Sequence, residues 1–363
     1  MYSDSDLDAA VAAGALSPDA ASALRAYVES RAASPAVDEE HFRLITGFND
    51  IFVAIAAAIL LFAVGWIGNA MGARIDGEGP SPFAGLLVAG TAWGLAEFFT
   101  RKRRMALPSI LLLLAFTGGV LLTAFATLVL AIGTTTLEDN ERLVALVVAG
   151  SAAVAAGATW LHWRRFRVPI TVAAGAATVV GVLMALVAYA VGDTPALENT
   201  MLASGLVLGV GVFLLAMWWD SSDRARQTRR SDVAFWLHLL AAPMIVHPIF
   251  SLLGLTDGDA SIGEALVVLG VYVLLGIAAL AIDRRALLVS ALAYVLFALI
   301  SLFREFGAVE LNIALAAFVI GSGLLLLSAF WHGVRRSIVR PLPPGLQARL
   351  PVLDRSAPVA AAA

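Results

Sequence analysis

Ten long runs of uncharged, mostly apolar residues constrain the fold of this chain more than any other feature of its sequence. Each run is close to the 20 or so residues that an α-helix needs to cross the hydrocarbon core of a bilayer. Of the 363 residues, 60% are apolar and 14% are charged, whereas soluble domains carry about 25% charged residues. The sequence therefore predicts an all-α fold, a polytopic transmembrane helix bundle of about ten spans. The predicted spans are Asn49–Gly72, Pro82–Thr100, Ala106–Ile132, Leu143–Trp163, Val168–Val191, Met201–Trp219, Val233–Leu255, Ile262–Ile282, Ala286–Phe303 and Leu311–Trp331.

The basic residues of the loops alternate from one loop to the next. Cytoplasmic loops of membrane proteins are enriched in Lys and Arg, and here the even-numbered loops hold nearly all of these residues while the odd-numbered loops hold most of the acids. This alternation predicts that both termini lie in the cytoplasm. The basic turns begin at positions 101, 164, 224 and 284. The spacing between successive turns is about the length of two spans and two loops. The only basic residues of the odd-numbered loops are Arg74, Arg142 and Arg304.

The sequence lacks the residues that several kinds of active site require. It contains no cysteine, which excludes disulfides, thiolate nucleophiles and thiolate-bound metals. We find no glycine-rich nucleotide loop, zinc-binding His-Glu-x-x-His motif or nucleophile elbow. We therefore expect no cofactor, no metal site and no catalytic residue, and the chain is more typical of a noncatalytic protein than of an enzyme. The basic loops are short and scattered, which favours anionic lipid headgroups over nucleic acid as their partners.

Two polar segments flank the predicted spans. In the first, Gly14 ends one short helix, and Ser17 and Pro18 begin a second one. The apolar face of this hairpin is too small to form a core of its own, so we expect residues 4–32 to bind a protein partner or a second copy of the chain. The second segment is rich in Pro and Ala, which favours a disordered tail or one that lies loosely on the membrane. The predicted organisation is a cytoplasmic helical hairpin and linker at 1–40, a transmembrane domain at 41–332 and a cytoplasmic tail at 333–363.

Stretches near both ends resemble a known group of proteins. The opening AAGALSPDAASALRAYVESR, followed by HFRLITGFNDIFVAIAAAILLFAVGWIG, and the closing FWHGVRRSIVRPLPPGLQARLP are similar to bacterial multi-pass membrane proteins classed as domains of unknown function. Together these stretches cover about a quarter of the chain. The resemblance implies a helical hairpin before about ten spans and a location in the bacterial inner membrane. It implies no activity and no catalytic residues.

Glu97 is the acidic residue placed furthest into a predicted span. An ionised group within a bilayer costs about 2.5 kcal/mol or more, so each one is a functional candidate. Arg101 follows four residues later, in the favourable order for an ion pair on a helix. Glu97 is thus either paired locally near the cytoplasmic interface or a carboxylate that faces a substrate or gate.

The seventh span contains the most unusual group of residues, namely His238, Pro243, His247 and Pro248. Nine helical residues place the two histidines on opposite faces and about 13 Å apart along the axis, so they cannot share a metal ion. Proline interrupts helical hydrogen bonding, and a polar residue at a helix break is common in transporters. We therefore interpret Pro243 and Pro248 as helix-break positions. His247 and His238 are candidates for a proton or substrate pathway. The alternative for His247 is a structural role at a bend in the bundle.

Two functions follow from these observations. The first is a noncatalytic scaffold, sensor or assembly role that acts through the cytoplasmic hairpin. The alternative is a transporter of a small molecule or lipid that uses the proline-containing seventh span. The scarcity of charges within the spans favours the first.

Overall fold

The computed structural model describes residues 10–24, 48–224, 226, 228–253, 262–305 and 311–353. Within these residues all ten predicted spans are helices that are long and apolar enough to cross a membrane. The chain is therefore an all-α, multi-pass membrane protein, as the sequence predicts. The spans are α1 (Phe48–Asn69), α2 (Pro82–Ala96), α3 (Ala106–Ile132), α4 (Glu141–Phe166), α5 (Ile170–Val191), α6 (Leu197–Ser221), α7 (Arg229–Leu252), α8 (Ile262–Ile282), α9 (Ala286–Glu305) and α10 (Asn312–Ala329).

Short helical segments complete the connections. A single turn of π-helix, Glu97–Lys102, extends α2 beyond its predicted end. The loop after α1 contains the turn Ile75–Gly77, and the loop after α3 contains the helix Thr134–Glu138. After α10 the chain continues as α11 (Trp331–Val339) and α12 (Pro344–Gln347). The predicted tenth span therefore ends before Trp331, which begins a separate helix.

The outer surface of the bundle is suited to lipid. Large apolar side chains that a soluble protein would bury project outward from the spans, including Phe62, Val207, Phe318 and Leu325, which are 70–74% exposed. Small residues occupy many of the contacts between helices, as is usual where backbones approach closely within a membrane. Alanines are prominent among the buried residues of α2, α4 and α7.

The spans pack as consecutive helical hairpins, α2 with α3, α4 with α5, α6 with α7 and α8 with α9. The basic turns connect the two helices of each hairpin, and we call the end of the bundle where these turns lie the basic end. Each turn contains one residue other than glycine in the left-handed conformation: Arg104, Arg167, Arg226 or Asp283, with φ of 54–57°. A left-handed residue just after a helix lets the next amide groups bond back to the last carbonyls. After α8, for example, the Arg284 amide donates to the carbonyl of Ala279 at 2.9 Å.

The described part of the amino-terminal segment has the predicted local structure. Residues 10–12 and 18–24 are helical, and Gly14 lies between them with a φ of 69°. The Ser17 hydroxyl accepts a hydrogen bond from the Ala20 amide at 3.1 Å, which confirms Ser17 as a helix cap. The rest of the predicted hairpin and its linker, including Leu7 and Val28, lies outside the described residues.

Glycines set the close contact between α2 and α3. A Cβ atom added to Gly119 would lie 2.7 Å from the carbonyl oxygen of Gly85 and 2.9 Å from the amide nitrogen of Ala89. Such distances are shorter than van der Waals contact, so any side chain at Gly119 would push the two helices apart. The neighbouring Gly118 has no atom within 4 Å of the same position.

This difference makes Gly119→Ala and Gly118→Ala a matched pair of variants. Both replace glycine within one helix, and both should gain about 1 kcal/mol of helix propensity. Only Gly119→Ala creates a backbone clash, which should cost about 1–3 kcal/mol. We expect unfolding in detergent, followed by tryptophan fluorescence, to show Gly119→Ala as the less stable variant. Equal stability of the two would contradict the described contact between α2 and α3.

Candidate functional site

A group of buried charged side chains lies at the basic end, where the turns after α6 and α8 meet α11. These side chains are at most 4% exposed. We call this group the ionic network. Its members are Asp220, Arg226, Asp283, Arg284 and Arg335.

Asp220 connects two arginines of the ionic network, Arg284 and Arg226. It belongs to the last turn of α6, and its Oδ1 accepts a hydrogen bond from Nη2 of Arg284 at 2.8 Å. The same guanidinium nitrogen donates to the backbone carbonyl of Ser231, in the first turn of α7, at 3.1 Å. The Oδ2 atom of Asp220 lies 3.5 Å from Nη2 of Arg226. One carboxylate thus connects α6, the start of α7 and the turn after α8.

Asp283 connects Arg226 to two residues of α11, Trp331 and Arg335. Its Oδ2 accepts from Nη1 of Arg226 at 3.0 Å, and its Oδ1 accepts from the indole Nε1 of Trp331 at 2.7 Å. Nε of Arg335 lies 3.7 Å from the same Oδ1. Arg226 also donates to the backbone carbonyls of Ile282 and Asp283 at 3.0 and 3.1 Å. A guanidinium at this position supplies donors to the carbonyl end of α8 and complements the negative end of its dipole.

The hydrogen bonds explain how the bundle tolerates so many buried charges. Removing an ion from water costs several kcal/mol, which attraction offsets only where further hydrogen bonds satisfy the remaining donors and acceptors. Here backbone carbonyls and an indole supplement the ion pairs. Among the five described members of the ionic network, three are guanidinium groups and two are carboxylates.

α11 contributes an arginine to the interior because of its periodicity. Trp331, Arg335 and Val339 recur at every fourth residue and form its buried face. Arg335 therefore points inward, where its guanidinium donates to the backbone carbonyls of Pro351 at 2.8 Å and Val352 at 3.2 Å. This side chain joins the helix to the segment that follows it, and Val339 and Leu350 share one buried apolar cluster.

Arg224, from the turn after α6, holds the same segment from the other side. Its Nε donates to the carbonyl of Leu350 at 2.8 Å, and its Nη2 donates to the carbonyl of Gln347 at 3.0 Å. The expectation of a disordered or loosely lying tail is therefore wrong for residues 341–353, which fold back onto the basic end. Composition suggested disorder because the segment offers few large apolar side chains, whereas in the structure arginines hold its backbone carbonyls and Leu350 is buried. Residues 354–363 lie outside the described part.

The structure places His238 beside the ionic network. The side chain, on α7, is 1% exposed and stacks on Phe213 with ring centroids 5.3 Å apart. Its Nε2 lies 4.0 Å from Oδ2 of Asp220, too far for a hydrogen bond. Neither ring nitrogen has a hydrogen-bond partner among the described residues. His238 is thus a buried polar group next to a carboxylate.

His247 has different surroundings. It is exposed on the opposite face of α7, and its Nδ1 lies 2.6 Å from the hydroxyl of Tyr294 on α9. The helix is continuous from Arg229 to Leu252 and contains both Pro243 and Pro248. The interpretation of these prolines as helix breaks is therefore corrected, because the remaining hydrogen bonds maintain the helix on both sides of each proline.

Close packing occurs where Pro248 removes an amide donor. The unpaired position in the ladder is the carbonyl four residues earlier, that of Met244. Gly209 of α6 packs against this carbonyl so closely that an added Cβ would lie 2.9 Å from its oxygen. α6 thus covers the freed carbonyl with its own backbone.

Glu97 lies in a separate ion pair group at the basic end. Its carboxylate accepts from Arg101 at 3.2 Å, which is the predicted local pair, and also from Nε and Nη2 of Arg165 at 2.6 and 3.0 Å. Arg165 belongs to the last turn of α4. The Glu97 side chain is 32% exposed, so this group lies at the interface and connects the ends of α2 and α4.

Sequence reasoning missed the ionic network and one buried histidine. Asp220 and Asp283 are acids in otherwise basic turns, and this exception to the charge alternation could have indicated them. His162 is fully buried on α4, with Nδ1 3.3 Å from the Thr171 hydroxyl and its ring 4.5 Å from that of Phe166. No motif marks it.

Comparison with known proteins adds no functional assignment. Neither the protein-family models, the curated proteins nor the solved structures yield a match to this chain. The function must therefore be argued from the bundle and its basic end.

Asp220→Asn and Glu97→Gln test the difference between the two ion pair groups. Both variants neutralise a carboxylate with little change of shape. Removing one partner of a buried pair costs about 3–5 kcal/mol, so Asp220→Asn should unfold at a much lower denaturant concentration than the wild type. Glu97→Gln should have a much smaller effect because water screens an interfacial pair. Similar losses in the two variants, measured by tryptophan fluorescence in detergent, would show that burial does not distinguish them.

Proposed function

We propose that this chain is a noncatalytic protein of the bacterial inner membrane, with both termini in the cytoplasm, and that it acts as a scaffold or sensor through its basic end. The observation that carries the proposal is the attachment of residues 341–353 to the ionic network. Arg224 and Arg335 hold this segment by its backbone. Leu350 is buried in the apolar core of the basic end, whereas Leu346 is 51% exposed and accessible to a partner.

The charges at the basic end support a structural role for this surface. Arg226 and Arg284 form buried ion pairs, which leaves them unsuited to bind the anionic headgroups expected at the basic turns. Arg103 and Arg230 are exposed and remain candidates for that lipid contact. A fixed surface bordered by lipid-binding arginines is a suitable support for a cytoplasmic protein.

The amino-terminal segment supplies a second contact in this proposal. Residues 4–32 would bind the same partner or a second copy of the chain through their small apolar face. The resemblance to bacterial multi-pass membrane proteins of unknown function is part of the proposal and agrees with the order of a short helical segment followed by ten spans.

Site-specific photo-crosslinking in cells tests the scaffold. A photoreactive residue at Leu346 should give a discrete crosslinked protein, whereas one at Leu311, 62% exposed at the opposite end, should not give that product. Arg335→Ala should abolish the Leu346 product because it releases the carbonyls of Pro351 and Val352. Arg349→Ala, an exposed arginine of the same segment, is the matched control and should retain it. The proposal fails if Leu346 gives no specific product or if both arginine variants behave alike.

A second candidate function, transport, is favoured by one observation. His238 is buried in α7 close to Asp220, and neither of its ring nitrogens has a hydrogen-bond partner among the described residues. In this alternative the chain would be a transporter of a small molecule or lipid, with proton movement through His238 and substrate contacts along α7, including His247.

Proton flux into vesicles distinguishes the two functions. The purified chain is reconstituted around a pH-sensitive dye, and a pH gradient is imposed. A scaffold should give the flux of protein-free vesicles. A flux above that level that His238→Gln abolishes would instead support transport and contradict a purely noncatalytic scaffold. The control is His162→Gln, at a buried histidine of α4 outside the proposed pathway, and it should retain the flux.

A further inference from the structure

An open groove of about 580 Å³ lies between α1, α2 and α3, away from the ionic network. It begins at the loop after α1, where Glu78 and Pro80 line its mouth, and it extends along α1 as far as Leu61. Four glycines line it, namely Gly65, Gly85, Gly118 and Gly119. Gly118 faces the open space, because the position of its missing side chain is empty to at least 4 Å.

The dimensions of the groove match one leaflet of a bilayer. From Asn69 at its mouth to Leu61 is eight helical residues, or about 12 Å. The hydrocarbon of one leaflet is about 15 Å thick, half of the 30 Å core. A transmembrane helix from a second copy would need an apolar seam across both leaflets, and this groove ends near the middle of the membrane. A lipid acyl chain has the required length.

The lining and the mouth of the groove are chemically distinct. The lining is almost entirely apolar. Phe62 and Trp66 form one wall, each 71% exposed, with ring centroids 6.0 Å apart, and aromatic residues of this kind favour the membrane interface. The mouth is polar and carries both signs of charge. The Glu78 carboxylate is exposed there, and the guanidinium group of Arg74 donates to the backbone carbonyls of Gly79 at 3.0 Å and of Glu78. Such a pair of charges suits a zwitterionic headgroup, because the carboxylate attracts its ammonium group and the guanidinium attracts its phosphate.

We propose that this groove binds a phospholipid whose headgroup carries a primary ammonium group, with an acyl chain along Gly118 and the ammonium group beside Glu78. This site is distinct from the basic end, where the charge favours anionic lipids. The two ends of the bundle therefore select different headgroups, one in each leaflet. The proposal does not depend on the scaffold or transport functions.

Native mass spectrometry of the full chain in detergent tests the site, with phosphatidylethanolamine and phosphatidylglycerol of identical acyl chains as probes. Gly118→Phe fills the groove and should lower the affinity for phosphatidylethanolamine about tenfold, since the acyl chain loses its buried surface. Gly94→Phe is the matched control, because Gly94 is also open to at least 4 Å but does not line the groove. This control should bind lipid like the wild type. Thermal unfolding of both variants shows whether either substitution disturbs the fold. Gly118→Leu introduces a smaller side chain at the same position of the groove.

The headgroup is tested separately with Glu78→Gln. The wild type should prefer phosphatidylethanolamine about threefold, as expected for an exposed charge pair, and Glu78→Gln should remove this preference while keeping the acyl contact. Equal binding by Gly118→Phe and Gly94→Phe would overturn the proposed site. Preference for phosphatidylglycerol in the wild type, or a dimer that only Gly118→Phe dissociates, would overturn the proposed occupant.

Discussion

A bilayer supplies no water to buried polar groups, so each charge that this bundle encloses must find its partners within the protein. This constraint explains the construction of the basic end. Asp220 and Asp283 are each shared between arginines from different parts of the chain, and several of the other guanidinium donors reach backbone carbonyls. The positions of α6, α8 and α11 are therefore linked through their charges as well as through apolar packing.

The same arrangement occurs twice along the chain with different degrees of burial. Glu97 at the end of α2 pairs with Arg165 at the end of α4, and Asp220 at the end of α6 pairs with Arg284 just after α8. In both cases an acid from one helical hairpin binds an arginine from the next. The first pair is partly exposed, whereas Trp331 and Arg335 help to enclose the second group. Two successive pairs of hairpins are thus joined by the same type of contact.

The sequence predicts the spans well because the cost of burying charge in lipid acts on every residue of a span. It also predicts local contacts such as Glu97 with Arg101 and the cap at Ser17. It does not predict the ionic network, since Asp220 and Arg284 are 64 residues apart and no periodicity connects them. The order of residues 341–353 was missed for a related reason, because Arg224 and Arg335 recognise carbonyl groups rather than side chains. The effect of Pro248 was also misjudged, since the helix continues through it and Gly209 of the neighbouring helix packs closely against the carbonyl of Met244.

The position of Arg335 has a consequence for the biogenesis of the protein. A ribosome makes Asp283 about 50 residues before Arg335 and makes the carbonyls of Pro351 and Val352 later still. The turns after α6 and α8 can meet before that point, but the enclosure of their charges is completed only by the arrival of α11 and the segment behind it. A nascent chain that stalls earlier leaves Asp283 without its indole donor and leaves these polar groups exposed at the membrane interface.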